Sequence, residues 1–268
     1  MSAEPILGGF TAAGGFRSWA ASHRGRRSHN EDSYVNRPDL GLWAVADGAG
    51  GHQAGDVASR TVTDALAALP RGLGAAELLA EARLRIAEAH EALQLQAMRL
   101  GPEALMITTL VVLLARHDHF ACLWAGDSRA YLLRQGRLRQ LTHDHSLVQE
   151  LLDRGEITAA EARHHPDANI ITRALGGDEE TIELDKVSDR LRRGDRFLLC
   201  SDGLYKTVPE GDLVGLLADD SLSAERLVAA ALERQADDNV TAMIIEADAE
   251  EANAGPPPPH REGDRMGF

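Results

Sequence analysis

Positive charge is scarce in this chain: 28 Lys and Arg stand against 42 Asp and Glu, a formal net charge of −14. Such a balance repels nucleic acid and anionic membrane, so no nucleic-acid or membrane partner is expected. Cysteine is scarcer still. Cys122 and Cys200 each sit inside an apolar run, where a free thiol behaves as a small buried hydrophobe, so no disulfide framework is implied. That fits a reducing compartment. Long apolar runs are missing as well: the longest, Ala104 to Ala115, contains two threonines and falls short of the roughly 20 residues needed to cross a bilayer. The opening Met-Ser-Ala-Glu-Pro lacks a basic region followed by an apolar block, so no signal peptide is expected and the protein is assigned to the cytoplasm.

What the chain does have is a core. Hydrophobic residues make up 44% of 268 positions, enough for one large domain or two small ones. Residues 1–17 carry little pattern and read as a loose lead-in. Ala54 to Leu69 and Ala75 to Met98 carry apolar residues at helical spacing, and Pro70 and Gly72 separate them. Thr109 to Ala115 with His119 to Ala125, and Arg129 to Arg134 with Arg137 to Leu141, read as hairpins, so the sheets are antiparallel. Ser146 to Arg154 reads as a helix, and Thr158-Ala-Ala-Glu161 as the capping box of another. Further helices are expected over Pro209 to Leu217 and Ser223 to Gln235, with a last strand from Val240 to Glu246. Beyond it, acidic residues give way to Pro256 to Pro259, the composition of a disordered tail over 247–268.

Aspartates punctuate the apolar runs. Asp47, Asp127 and Asp202 stand where such runs end, and Asp238 where one begins. If neighbouring antiparallel strands run in opposite directions, these positions meet at one rim. Four carboxylates gathered there would repel by roughly 4 kcal/mol per pair at about 4 Å and an effective dielectric near 20. Summed, that rivals a domain's net stability of about 5 to 15 kcal/mol, so two dications must accompany the convergence. Gly48, Gly50 and Gly51 follow Asp47 and leave its surroundings clear, which offers a carboxylate and a carbonyl to one hard ion such as Mg²⁺ or Mn²⁺. Each Asp-Gly taken alone is equally a tight turn with a capping Asp. His143 and His145 would share a face if extended, but no third ligand stands at a recognisable spacing for a transition metal.

Paired dications suit phosphate-ester hydrolysis, because two ions about 3.5 to 4 Å apart can share a water and aim it for in-line attack. A guanidinium holds phosphoryl oxygens through parallel hydrogen bonds, and Arg27 is the candidate. Covalent routes lack their residues. A thiol nucleophile needs Cys followed six positions later by Arg, but Ser128 and Lys206 stand there. There is no Asp-x-Asp-x-Thr and no Gly-x4-Gly-Lys-Ser/Thr, so water is the nucleophile.

Arg27-x3-Glu31-Asp32, Val45-Ala-Asp47-Gly48-x-Gly-Gly, Gly126-Asp127-Ser128-Arg129, Leu141-Thr-x-Asp-His-Ser146, Ser201-Asp202-Gly203 and Asp238-Asn239-Val-Thr241 together resemble the metal-dependent (type 2C, PPM) serine/threonine protein phosphatases. The resemblance covers residues 18–246. It implies an α+β fold, a four-layer αββα sandwich of two antiparallel sheets flanked by helices. It also implies two Mn²⁺ or Mg²⁺ ions at one rim, with Asp47 bridging them, the Gly48 carbonyl on one, and Asp202 and Asp238 on the other. By the same resemblance Asp127, with Asp202, matches the position of a third, weaker metal in many bacterial members. Glu31 and Asp32 match carboxylates that bind metal waters, and Arg27 matches the phosphate-binding arginine. Residues 143–177 correspond to a flap beside the site.

Ala49 departs from the pattern, since many eukaryotic members place a histidine there as general acid and many bacterial ones a methionine. The proton for the leaving seryl or threonyl oxygen must then come from metal-bound water or another group; His52 is near in sequence but equally well packs at a helix start. The implied substrate is a phosphorylated protein, a serine/threonine kinase or its target. Gly41-Leu-Trp-Ala-Val-Ala-Asp47 and Phe197 to Thr207 are similar to stand-alone bacterial phosphatases of type VI secretion loci. A catalytically silent phosphoprotein-binding module on the same fold and a small-metabolite phosphatase are the competing readings.

Overall fold

The computed structural model describes residues 10–12, 15–50, 54–101, 103–219 and 221–247, of which 10–12 are described for the backbone alone. His52 and the expected tail from residue 248 lie outside the described residues. Hydrophobic alternation builds two antiparallel sheets. One runs in the order β1 (Phe10–Ala12), β2 (Phe16–His23), β12 (Val240–Ala247), β11 (Arg196–Cys200), β8 (Arg129–Arg134) and β9 (Arg137–Gln140). The other runs β10 (Asp185–Arg190), β7 (His119–Ala125), β6 (Leu110–Arg116), β4 (Leu42–Ala49) and β3 (Asp32–Arg37), with the short β5 (Ile107–Thr108) paired to β4.

Strands buried on both faces explain the layering. In β4, Trp43 and Val45 point between the sheets, while Leu42, Ala44 and Ala46 face α1 (Ala54–Ala67) and α2 (Ala75–Leu100). In β12, Met243 and Ile245 share the inter-sheet core, while Val240, Ala242 and Ile244 pack against the helices of the opposite face. Those helices are α5 (Asp202–Tyr205), α6 (Glu210–Ala218) and α7 (Ala224–Glu233). The result is helix, sheet, sheet, helix, the expected α+β sandwich. Two further short helices, α3 (Leu147–Asp153) and α4 (Ala159–Ala162), lie in the flap. Ser146 caps the first, and the second carries the expected capping box of Thr158 and Glu161.

Three expectations need correction. The loose lead-in through residue 17 already contains β1 and the start of β2, because Phe16 to His23 pairs along the whole of β12. The strand expected to end before Asp47 continues to Ala49, because β5 pairs with Gly48 and Ala49. The last strand reaches Ala247, whose N–H donates to Asp195 O. No helix among the described residues is long and apolar enough to cross a membrane.

Candidate active site

The acidic residues converge at one rim of the sandwich, each held there by its own element. Asp32 and Asp47 are partners across the antiparallel pair β3–β4, so their side chains are near neighbours. Asp127 stands two residues past the end of β7, and Asp202 opens α5 after β11. Asp238 stands two residues before β12, which runs antiparallel beside β11. A strand's exit and its neighbour's start thus lie together.

Electrostatics record the proximity. Burial pushes the Asp47 carboxyl well above the usual carboxylate range, reinforced by the charges of Asp32, Asp202, Asp127 and Asp238. Burial raises Asp32 to about 7, against hydrogen bonds from Thr241 and Ser201 and with help from Asp202 and Asp238. Asp127 rises to about 6, again mainly by burial, then by Asp202. Glu31 is also raised, by burial first.

Close backbone contacts fix the arrangement. A Cβ at Gly48 would meet Gly55 O at 2.0 Å and Glu31 O at 2.9 Å, so only glycine lets the start of α1 and the Glu31 segment close over β4. Gly25 has φ +56° and lies against Asp238, whose carbonyl oxygen a Cβ would approach to 1.9 Å. That contact brings the Arg24–Arg27 turn onto the segment before β12. Asn239 completes the join: it accepts from Glu31 N–H at 2.7 Å and donates to Arg24 O and His29 O at 3.0 and 2.9 Å.

Several of these groups could not be found by reading spacing alone. Asp32 Oδ2 accepts from Ser201 Oγ and Thr241 Oγ1, both at 2.7 Å, and so ties one sheet to the other. Arg129 grips Asp144 through Nε and Nη2 and lies 3.7 Å over the Tyr205 ring. Tyr205 in turn donates to Asp127 Oδ2 at 3.2 Å. Lys206 donates to Asp202 Oδ2 at 2.6 Å, a contact signalled in the sequence by i,i+4 spacing. His143 and His145 do not meet at a metal: the first bonds Asp153 Oδ2 at 2.7 Å, and the second stacks on Trp124.

Among the described residues, no three acidic, histidine or cysteine side chains are posed around one point as ligands. Asp202 instead turns an oxygen to Lys206, and Asp238 turns Oδ2 to Arg27 Nη2 at 2.7 Å. The residues nonetheless fit a hard divalent ion. The donor set is all oxygen, the carboxylates outnumber the cationic side chains of Arg27 and Lys206 beside them, and Asp32 Oδ1 is buried with no hydrogen-bond partner. A thiol route finds no support, because burial pushes both Cys122 and Cys200 far above the usual thiol range.

A groove of about 710 Å³ opens beside the acids. Its walls include Leu152, Ala162 and Arg163 of the flap on one side and Tyr205, Pro209 and Glu210 on the other. Asp127 and Lys206 stand at the end that borders the carboxylates.

Known proteins carry the same plan. A family model described as Protein phosphatase 2C matches residues 20–244. The serine/threonine phosphatase stp of Listeria monocytogenes is 39% identical over 236 residues, covering 84% of this chain and 93% of that protein. The serine/threonine protein phosphatase PstP of Mycobacterium tuberculosis is 40% identical over 230 residues, 85% of this chain and 44% of that protein. Among solved structures, PppA, described as a key regulatory component of T6SS in Pseudomonas aeruginosa, superposes with a TM-score of 0.80 at 41% identity, over 87% of this chain and 97% of that one. The catalytic domain of PstP in complex with 2 manganese ions gives 0.74 at 38% identity, over 86% and 97%. The matched stretch runs from β2 into β12 and contains every one of the clustered acids. On these grounds the chain belongs to the protein phosphatase 2C family and is a serine/threonine phosphatase.

Proposed function

We propose that the rim is a two-ion centre for hydrolysis of phosphoserine and phosphothreonine in proteins. Asp47, the Gly48 carbonyl, Asp202 and Asp238 would hold two Mn²⁺ or Mg²⁺ ions, and Glu31 and Asp32 would bind their waters. The single observation that carries this is Asp47 lodged among Asp32, Asp202, Asp127 and Asp238, a density of negative charge that divalent ions answer. When bound, such a pair would lower the pKa of a water and so supply a nucleophile at neutral pH. The chain's own residues do the rest. Asp32, fixed by Ser201 and Thr241, orients the water side of the centre. Arg27 stands exposed at the rim, where its fork can leave Asp238 for the phosphoryl oxygens. A water oxygen would bond to phosphorus in line as the bond from phosphorus to the seryl or threonyl oxygen breaks, and a proton of that water would end on the leaving oxygen, giving the free hydroxyl and inorganic phosphate.

The groove supports a polypeptide substrate over a small metabolite, because it extends the site along the flap with apolar and charged walls. A phosphorylated kinase or kinase target is the partner proposed. The likeness to PppA supports a role in control of type VI secretion. The test is turnover of an aryl phosphate and of an autophosphorylated kinase with Mn²⁺ and with chelator. Chelator should abolish both activities, and Asp47→Asn or Asp202→Asn should lower kcat/KM by more than about 10²-fold. Metal-independent turnover, or full activity in either variant, would sink the reading.

A further inference from the structure

Lys206 follows α5, and one helical turn returns its Nζ to Asp202 Oδ2 at 2.6 Å. The same nitrogen stands 3.7 Å from Asp127 Oδ2 and donates to Asn169 Oδ1 of the flap at 2.9 Å. An ammonium carries three N–H donors and no acceptor, so it suits a point where several oxygens meet. The stem is held as well: the backbone N–H of Lys206 donates to Asp202 O, and the side chain is only 33% exposed. A lysine side chain ordinarily carries its positive charge at neutral pH.

Two carboxylates facing one point require a positive charge, and either an ion or a side chain can supply it. A divalent ion would need oxygen contacts of about 2.0 to 2.2 Å, in the space where this ammonium lies. We infer that Lys206 is the resident cation of the Asp127–Asp202 pair. It excludes a further divalent ion from these two oxygens and, through Asn169, fastens the flap to the acidic rim. The inference rests on the reading of Asp47, Asp202 and Asp238 as holders of two ions.

Calorimetric titration with Mn²⁺, backed by metal analysis after equilibrium dialysis of the whole chain, tests it. Wild type and Lys206→Arg should take up two ions. Lys206→Met should reveal a third, weaker class, and adding Asp127→Asn to that variant should remove it again. Protease cleavage within the flap should speed up in Lys206→Met and in Asn169→Ala with the two tight sites intact. A wild type that binds three ions overturns the inference, as does a Lys206→Met protein that keeps its tight sites and gains none. If Lys206→Met loses its tight sites too, the wild-type count decides, two supporting and three overturning. A wild type that binds no Mn²⁺ overturns the two-ion reading along with this one, a result distinguishable from the others.

Discussion

Asp32 sits where a carboxylate is least at ease, with one oxygen shared by two hydroxyls and the other buried without a partner. Raised to about 7, and with Asp127 at about 6, it binds a proton more tightly in the folded chain than at the ordinary value near 3.9. Between about pH 4 and pH 7 the metal-free folded state therefore holds more protons than the unfolded one. The contribution to stability is fully present below that window and is lost as pH rises through it. In chelator, the thermal midpoint should fall from about pH 5 to about pH 7.5, and Mn²⁺ should restore it at the upper end. Asp32→Asn should flatten the fall, and a midpoint that climbed instead would contradict the account. At this scale the sequence was informative for aspartates, since Asp127, Asp202 and Asp238 each flank an apolar run. It was silent about Ser201 and Thr241 as anchors of Asp32, because a bond between two sheets leaves no period in the chain. Lys206 was legible in principle, four residues after Asp202, but its meaning depends on Asp127 and Asn169, which the fold alone brings near.

The flap is the element whose docking is easiest to perturb. His145 stacks on Trp124 with ring centroids 6.4 Å apart and planes 16° from parallel, and Nδ1 accepts the Gly126 N–H at 3.1 Å. That bond requires a bare Nδ1. Burial, then Arg173, holds the imidazole below its ordinary proton affinity near 6.5. The docked arrangement is accordingly at full strength above the ordinary value and is lost as pH falls through the lowered one. Limited proteolysis within residues 147–170 should accelerate as pH falls below the ordinary histidine range, and His145→Ala should be cleaved quickly at every pH. Helices and hairpins were readable because their periods are strong. β10 was not: Asp185–Arg190 is nearly all polar, and only Val187 reaches the inter-sheet cluster, so main-chain pairing to β7 makes the strand. β4 overran its expected end because β5, too short to show a pattern, pairs with Gly48 and Ala49.

For the whole molecule, the inter-sheet core is what holds the rim's parts in register. Phe197 is fully buried there and meets Phe120 edge to face at 4.9 Å. Phe197→Ala should cost about 3 to 5 kcal/mol of unfolding free energy by urea denaturation. Loss of less than about 1 kcal/mol would mean that the two sheets are held together elsewhere. Antiparallel pairing could be read from consecutive hairpins, but the strand order could not. β2 and β12, far apart in the chain, pair along their whole length, and only a resemblance to known phosphatases foretold the four layers.

β12 is central in its sheet, flanked by β2 and β11, and it carries Thr241 to Asp32 while Asp238 stands two residues before it. It is also the last of these strands to leave the ribosome. A chain severed before Val240 should therefore be inactive: it holds every one of the clustered acids yet has no closed sheet to gather them. Activity should accordingly appear only once this strand has paired, rather than growing by degrees as the chain lengthens.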